Sequence, residues 1–370
     1  MLKPRNCIAS LSPYHSPIVS RAGLCLDLNE NAVGCSSRVL ARLRALTAEE
    51  VSRYPEREEG ERMVADFLGI PPEQVLLTNG MDDALALLFA AYLGAGDELL
   101  FADPTFVMYP MLGQACGAQV VRLESGEDLT LPVENFLKRI SPRTRVIAIA
   151  NPNNPTGLTA PRADLLKIVE AAPDAAVLID EAYFEFCGET LIGELARHPN
   201  LFVARTFSKA YGLAGLRLGV LTGAAEQIGY IRRFCPPFNV NAAVLVCLEE
   251  ALADQSFVRE SVAQAKHGCR QIERLCEELT LRFWPSATNF VLVRVSNKRS
   301  NPADQNSNLS AAALAQAMHR RGVVVRDTSA NPGCEGCARI TAGTSDQMDR
   351  VLQALRESIA EVRQTFQQIS

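Results

Sequence analysis

No run of apolar residues in this 370-residue chain approaches the roughly 18–20 needed to cross a bilayer as a helix. The longest, Ala84–Leu93, is ten residues and follows a helical pattern, so it predicts a buried helix rather than an anchor. An excess of basic charge is also missing. Lys and Arg number 37 against 42 Asp and Glu, a net charge of -5, which argues against nucleic acid as a partner and against adhesion to anionic lipid. Small anions stay open as ligands, because a few well-placed donors suffice to bind them. His15, His198, His267 and His319 have no ligand spacing. Cys334-Glu-Gly-Cys337 lacks the second pair or the histidines that a zinc site needs, so no metal is expected. Gly212, Gly215 and Gly219 lack the GxGxxG spacing of a dinucleotide loop. Lys3 and Arg5 precede no apolar stretch of signal-peptide length, and Pro4, Asn6, Ser10 and Pro13 interrupt the segment, so a cytoplasmic protein is expected.

What is present is an ordinary globular composition, 48% hydrophobic with 20 Pro and 23 Gly, on a length that suits two domains or one large one. Eleven cysteines cannot all pair within one chain. Most, such as Cys116, Cys187 and Cys247, sit in apolar patterns, where a free thiol behaves as a small hydrophobe. Trp284 reads as a core residue. The first 35 residues predict an extended arm. Helices are predicted over Ser36–Leu46, on a Ser cap, and over Glu59–Phe67, stopped by Gly69. Short apolar strands then alternate with helices. The strands are Gln74–Thr78, Glu98–Ala102, Gln119–Leu123, Arg145–Ala150, Ala176–Ile179, Leu201–Arg205 and Leu216–Leu221; the helices are Asp83–Tyr92, Tyr109–Cys116, Arg162–Ala171 and Leu191–Ala196. This alternation predicts an α/β fold, a doubly wound and mostly parallel seven-stranded sheet with helices on both faces. Long helices follow from Ala225 to Thr280. A smaller α+β unit closes the chain: strand Ala287–Val293, helix Ser310–Arg320, strands around Val323–Arg326 and Ala338–Thr341, and an amphipathic helix Asp346–Thr365. The domain reading is therefore an N-terminal arm with a short helix (1–48) belonging to the small domain, a large domain (49–280) and a C-terminal small domain (281–370).

Three features follow one another at predicted strand ends, where open α/β sheets bind ligands. Asn151-Pro-Asn-Asn-Pro-Thr-Gly157 is by itself a turn signal. In Leu178-Ile-Asp-Glu-Ala-Tyr183, an aspartate ends a buried strand, where an unpaired charge is costly, so Asp180 should face a cation. Arg205-Thr-Phe-Ser-Lys-Ala-Tyr-Gly-Leu-Ala-Gly-Leu-Arg-Leu-Gly219 sets a lysine among hydroxyls, small residues and an arginine. A lysine in such surroundings can have a depressed pKa and form an imine with a carbonyl.

With these residues the sequence resembles the fold-type I pyridoxal-phosphate enzymes and, within them, the class of histidinol-phosphate aminotransferase. The resemblance runs from Leu11-Ser-Pro-Tyr14 through Asn29-Glu-Asn31 and Arg53-Tyr-Pro-Glu56 to Arg339-Ile-Thr-Ala-Gly-Thr344. It implies pyridoxal phosphate as the cofactor, bound covalently to Lys209, whose freed amine would shuttle the substrate proton. Asp180 would pair with the pyridinium nitrogen, and Asn154 and Tyr183 would bond the phenolic oxygen. Phe106, in Pro104-Thr-Phe-Val-Met-Tyr109, matches the aromatic that stacks on the ring, where many relatives have Tyr. The cofactor phosphate would take the amides of Met81 and Asp82 at a helix N-terminus, with Thr206, Ser208 and Arg217. Tyr54 matches a tyrosine that reaches this phosphate from a neighbouring subunit, which implies a homodimer with shared active sites.

For substrate, the resemblance places Arg339 on a carboxylate, or Arg326 and Arg339 together on a phosphate, with Tyr14 closing over the ligand. Ala32 and Cys35 depart from the Pro-rich pattern usual after Asn-Glu-Asn. The implied reaction is amino transfer from histidinol phosphate to 2-oxoglutarate. Alternatives are an aromatic or other amino-acid aminotransferase, a threonine-phosphate decarboxylase (which tends to have Pro where this chain has Ala214), and a pyridoxal-phosphate-binding sensor without turnover.

Overall fold

The computed structural model describes residues 2–13, 22–295 and 310–367. A two-residue strand, β1 (Leu24–Cys25), precedes the seven strands of a large sheet. These are β2 (Val75–Thr78), β3 (Glu98–Asp103), β4 (Gln119–Glu124), β5 (Thr144–Ala150), β6 (Ala176–Asp180), β7 (Leu201–Thr206) and β8 (Gly219–Gly223). Across the sheet they run β2-β8-β7-β6-β5-β3-β4. Every neighbouring pair is parallel except those made by β8, which is antiparallel to both β2 and β7. Strand order reverses beside β3, which opens a crevice at the carboxyl ends.

Both sheet faces are buried, and this is why the strands read as nearly unbroken apolar runs. In β6, Leu178 packs with Leu76, Leu88, Phe101 and Phe202 on one face. Val177 and Ile179 point the other way, onto Leu165, Ile168 and Val203. The run Ala84–Leu93 lies mostly within the helix Met81–Tyr92, and Leu85, Leu88 and Phe89 are fully buried. Among the described residues, no helix is long and apolar enough to cross a membrane.

A second sheet has the order β12-β13-β10-β9, all antiparallel. Its strands are β9 (Arg282–Trp284), β10 (Phe290–Arg294), β12 (Arg326–Asp327) and β13 (Cys337–Thr341), and β11 (Val323–Val324) lies apart, paired in parallel with β1. The helices Gln255–Glu278, Ala311–Arg320 and Ser345–Gln367 cover this sheet through Ile272, Leu314, Met318, Val351 and Leu355. Ser36 acts as the expected cap, its Oγ accepting from the Arg38 amide, and Ser310 also caps a helix, its Oγ accepting from the Ala313 amide, each at 3.1 Å. Trp284 is buried, its indole N–H donating to the Asp128 carbonyl. All eleven cysteines are free thiols.

Several expectations are corrected. Within the described part of the N-terminal arm, Asn6–Ala9 forms one helical turn rather than extended chain. The expected helix Leu191–Ala196 is only the tight turn Ile192–Glu194. The Arg162 guanidinium and the Arg197 and His198 side chains gather on Glu194 there, and the chain heads straight into β7. The expected strand Leu216–Leu221 starts late, at Gly219. Ala214–Leu216 makes a tight turn and Arg217 adopts a left-handed conformation, φ 57°. A period-two reading cannot detect such a break. The segment Val323–Arg326 is two strands of different sheets, divided at Val325.

Candidate active site

The loops that leave β3, β5, β6 and β7 meet at one edge of the large sheet. β8 runs the opposite way, so its start lies at that edge too, with Gly219 opposite both Thr206 and Thr78. This register alone brings together Asn154, Asp180, Ser208, Lys209, Arg217 and the start of the helix Met81–Tyr92.

Asp180 ends β6 and is 4% exposed. Among the described residues it forms no ion pair. Two hydrogen-bond donors reach it, the Tyr109 hydroxyl at 2.7 Å and the Ala182 amide at 3.0 Å. Burial raises its pKa to about 6, against the pull of the Tyr109 bond. Tyr183, three residues on, is buried with its hydroxyl accepting from Asn29 Nδ2 at 2.8 Å. Burial pushes that phenol up to about 12, although Arg339 favours its charged form.

Lys209 follows β7 in a compact loop held by bonds from the Phe207 amide to Leu218 and from the Leu213 amide to Phe207. Gly212 closes the loop at φ 70°, and a Cβ there would lie 1.8 Å from the Gly34 carbonyl oxygen. Asn31 Nδ2 donates to the Lys209 and Ala210 carbonyls from the other side. The Lys209 amine donates to the Leu28 carbonyl at 3.0 Å. Burial first, then Arg339, lowers its pKa to about 8. Such an amine is a competent nucleophile toward a carbonyl and a competent base near neutral pH.

An anion cradle lies beside it. Gly80 precedes the helix Met81–Tyr92 at φ 82° and offers no side-chain cap, so the Met81 and Asp82 amides face outward from a twelve-residue helix. The Arg217 guanidinium lies so close that a Cβ on Gly80 would be 2.4 Å from its Nη2. Arg217 also contacts the Asp82 carboxylate at 3.2 Å, in an exposed pair. Thr206 Oγ1 accepts from the Ser208 amide, and the Ser208 hydroxyl makes no hydrogen bond among the described residues.

The second sheet supplies two arginines. Arg326 on β12 stands directly opposite Arg339 on β13. Arg339 donates to Asn154 Oδ1 and to the Asp27 carbonyl and lies over the Phe290 ring. Arg326 Nη1 is buried and has no hydrogen-bond partner among the described residues. Like charges opposite one another are destabilising unless an anion joins them. Phe106, half-buried, packs edge-on against Tyr109 at 5.9 Å. Tyr54 is set away from this cluster, 78% exposed, stacked on Phe238 at 4.5 Å. It borders an open groove of 370 Å³ with Pro55, Met63, Leu245 and Val246. Tyr14 lies outside the described residues.

Sequence reasoning gave no role to Tyr109, Asn29 or Asn31. The signal was available only in part. Tyr109 is the third residue after Phe106 in the same short segment, and the two asparagines belong to Asn29-Glu-Asn31, but their partners lie 71, 154 and 178 residues away.

The sequence model for class I and II aminotransferases matches residues 22–355. Histidinol-phosphate aminotransferase 1 of Bacillus cereus is 33% identical over 343 residues, 91% of this chain and 89% of that protein. Histidinol-phosphate aminotransferase 2 of Pseudomonas fluorescens is 37% identical over 342 residues, 90% of this chain and 88% of that one. The crystal structure of histidinol-phosphate aminotransferase from Sinorhizobium meliloti, in complex with pyridoxal-5'-phosphate, superposes with a TM-score of 0.88 at 25% identity. That match covers 98% of this chain and 99% of the other.

Proposed function

The chain belongs to the class I and II aminotransferase family, and on that premise we propose that it is a pyridoxal-phosphate-dependent transaminase of fold type I. Its amino donor is histidinol phosphate and its acceptor 2-oxoglutarate, giving imidazole acetol phosphate and glutamate in histidine biosynthesis. Relatives of that name at 33% and 37% identity support the reading. The observation that carries the donor is the cross-strand register of Arg326 with Arg339, with one buried N–H of Arg326 left unpartnered among the described residues. A phosphate dianion satisfies both forks, where a single carboxylate satisfies one.

The residues fit the cofactor. The approach of Arg217 to Gly80, which leaves no room for a Cβ, sets a guanidinium beside the uncapped amides at the helix start, a donor set suited to an anion. When bound, pyridoxal phosphate supplies a carbonyl that bonds amines and a protonated ring that withdraws electrons from them. Met81, Asp82, Thr206, Ser208 and Arg217 hold its phosphate, and the Asp82 carboxylate gives up its exposed contact with Arg217. Asp180 holds the proton on the ring nitrogen. Asn154 and Tyr183 donate to the phenolic oxygen, and Phe106 packs on the ring face. Lys209 Nζ would hold the cofactor's carbonyl carbon, and its amine would serve as the base for the proton on the donor's amine-bearing carbon.

The same reading makes the protein a cytoplasmic homodimer in which Tyr54 reaches the partner's cofactor phosphate and Tyr14 covers the substrate. It divides the chain into a large domain (49–280) and a small one built from 1–48 and 281–370.

Single-turnover conversion of the cofactor-loaded enzyme tests the donor, with histidinol phosphate, histidinol, phenylalanine, glutamate and threonine phosphate compared as rate over binding constant. Histidinol phosphate should lead histidinol by several decades. Arg326→Ala should remove roughly ten- to a hundredfold of that lead, the worth of one charged hydrogen bond. Equal rates for phenylalanine would make the enzyme a general aminotransferase.

A further inference from the structure

Resting on the transaminase reading, the geometry points to Tyr109 as a positioning residue whose hydroxyl holds the Asp180 carboxylate ionised and oriented, and so keeps the proton on the ring nitrogen of the bound cofactor. Tyr109 has no exposed surface. It stands in the first turn of the helix Met108–Cys116, and its ring is fixed between Phe101 and Phe106, edge-on to both. A hydroxyl in so rigid a setting has one place to point, and it points at Asp180 Oδ2, 2.7 Å away.

The direction of that bond follows from the surroundings. The phenol is pushed well above its ordinary pKa, by burial first and by the Asp180 charge next, so Tyr109 keeps its proton and donates. The charged and titratable groups that act on Asp180 are few. Tyr109 faces it from one helix, Asp82 disfavours its charge from the start of another, and Tyr183 stands beyond the end of β6. Among the described residues no cation is in contact, and of the two donors that favour the ionised carboxylate one is a side chain. An ionised carboxylate has about four acceptor positions, so two bonds leave room for a third partner. Removing the hydroxyl raises the proton affinity of Asp180, and the proton shared with the ring nitrogen then moves toward the carboxylate.

Holoenzyme loaded with pyridoxal phosphate isotope-labelled at the ring nitrogen is read by nitrogen NMR across pH, with wild type set against Tyr109→Phe. The wild-type nitrogen is expected protonated. In the variant the equilibrium should shift about tenfold or more toward the unprotonated form, the worth of a hydrogen bond to a charged group. A variant with the wild-type melting temperature and an unmoved nitrogen signal overturns the proposal. A second readout is the double-mutant cycle with Asp180→Asn. Tyr109→Phe should slow single turnover about tenfold beside Asp180 and less than twofold beside the asparagine; equal losses in both backgrounds overturn the proposal. Should Tyr109→Phe fail to fold, a fluorinated tyrosine at 109 keeps the ring and is a stronger donor. The acid limb of kcat should then move to lower pH, and an unmoved limb overturns the proposal. The nitrogen signal needs no amino donor, so a wrong donor assignment leaves it readable. A chain that retains no labelled cofactor overturns the transaminase reading itself, and this proposal with it.

Discussion

Lys209 carries its amine where the charged form is disfavoured, by burial and by Arg339, and its pKa falls from 10.5 to about 8. Between those two values the unfolded chain binds more protons than the folded one, so the stability of the cofactor-free protein rises with pH across that window. Below about pH 8 the penalty is present in full. Cofactor-free Lys209→Met should therefore be more stable than wild type at pH 7, on the order of 1–3 kcal/mol. The gap should close as pH rises from 8 to 10.5, read by urea unfolding at each pH. A gap independent of pH would show that charge is not its source. The same variant should not be labelled when borohydride reduces the cofactor onto the chain, whereas wild type should. At this scale the amino-acid sequence is legible in part. Lys209 stands out because a lysine among Thr206, Ser208 and Ala210 has small and polar company suited to a close ligand. Tyr109 does not stand out, because its meaning lies in a carboxylate 71 residues away.

At the scale of elements, the start of the helix Met81–Tyr92 is a tightly constrained piece of the site. Its amides are uncapped, its entry residue needs a positive φ, and Arg217 fills the space a side chain would need. Gly80→Ala adds one methyl that meets backbone strain and the guanidinium together. It should weaken cofactor binding by tenfold or more and cost about 1–3 kcal/mol of stability. A fluorescence titration with pyridoxal phosphate and a melting curve measure the two effects. Pyridoxal, which lacks the phosphate, should bind both proteins alike; an equal loss for pyridoxal would move the effect away from the phosphate cradle. Parallel strands buried on both faces are readable as apolar runs, and the helix after Ser36 from its cap. The start of β8 is not, because a left-handed Arg217 interrupts an apolar pattern without changing it.

At the scale of the molecule, Tyr54 and Phe238 form an exposed aromatic stack beside an apolar groove, apart from the cluster around Lys209. In the proposed homodimer of shared sites, each Tyr54 would serve the other subunit. A hybrid of one Tyr54→Ala and one Lys209→Ala chain should therefore own one site with both wild-type residues. Mixed dimers, purified by two tags, should bind one cofactor per pair with wild-type affinity. If Tyr54 served its own subunit, no site in the hybrid would reach that affinity. By itself the sequence determined the α/β class, the mostly parallel seven-stranded order of elements and the family, because local propensity, burial on both faces and short motifs are properties of neighbouring residues. Only the tertiary structure decided that Asp180 meets the Tyr109 hydroxyl, that Arg326 and Arg339 share a register, and that Asn29 and Asn31 lock Tyr183 and the Lys209 loop. Those contacts join segments between 13 and 178 residues apart. Hydrogen bonds of that separation leave no period in the sequence, since chain closure and packing, rather than local preference, bring their ends together.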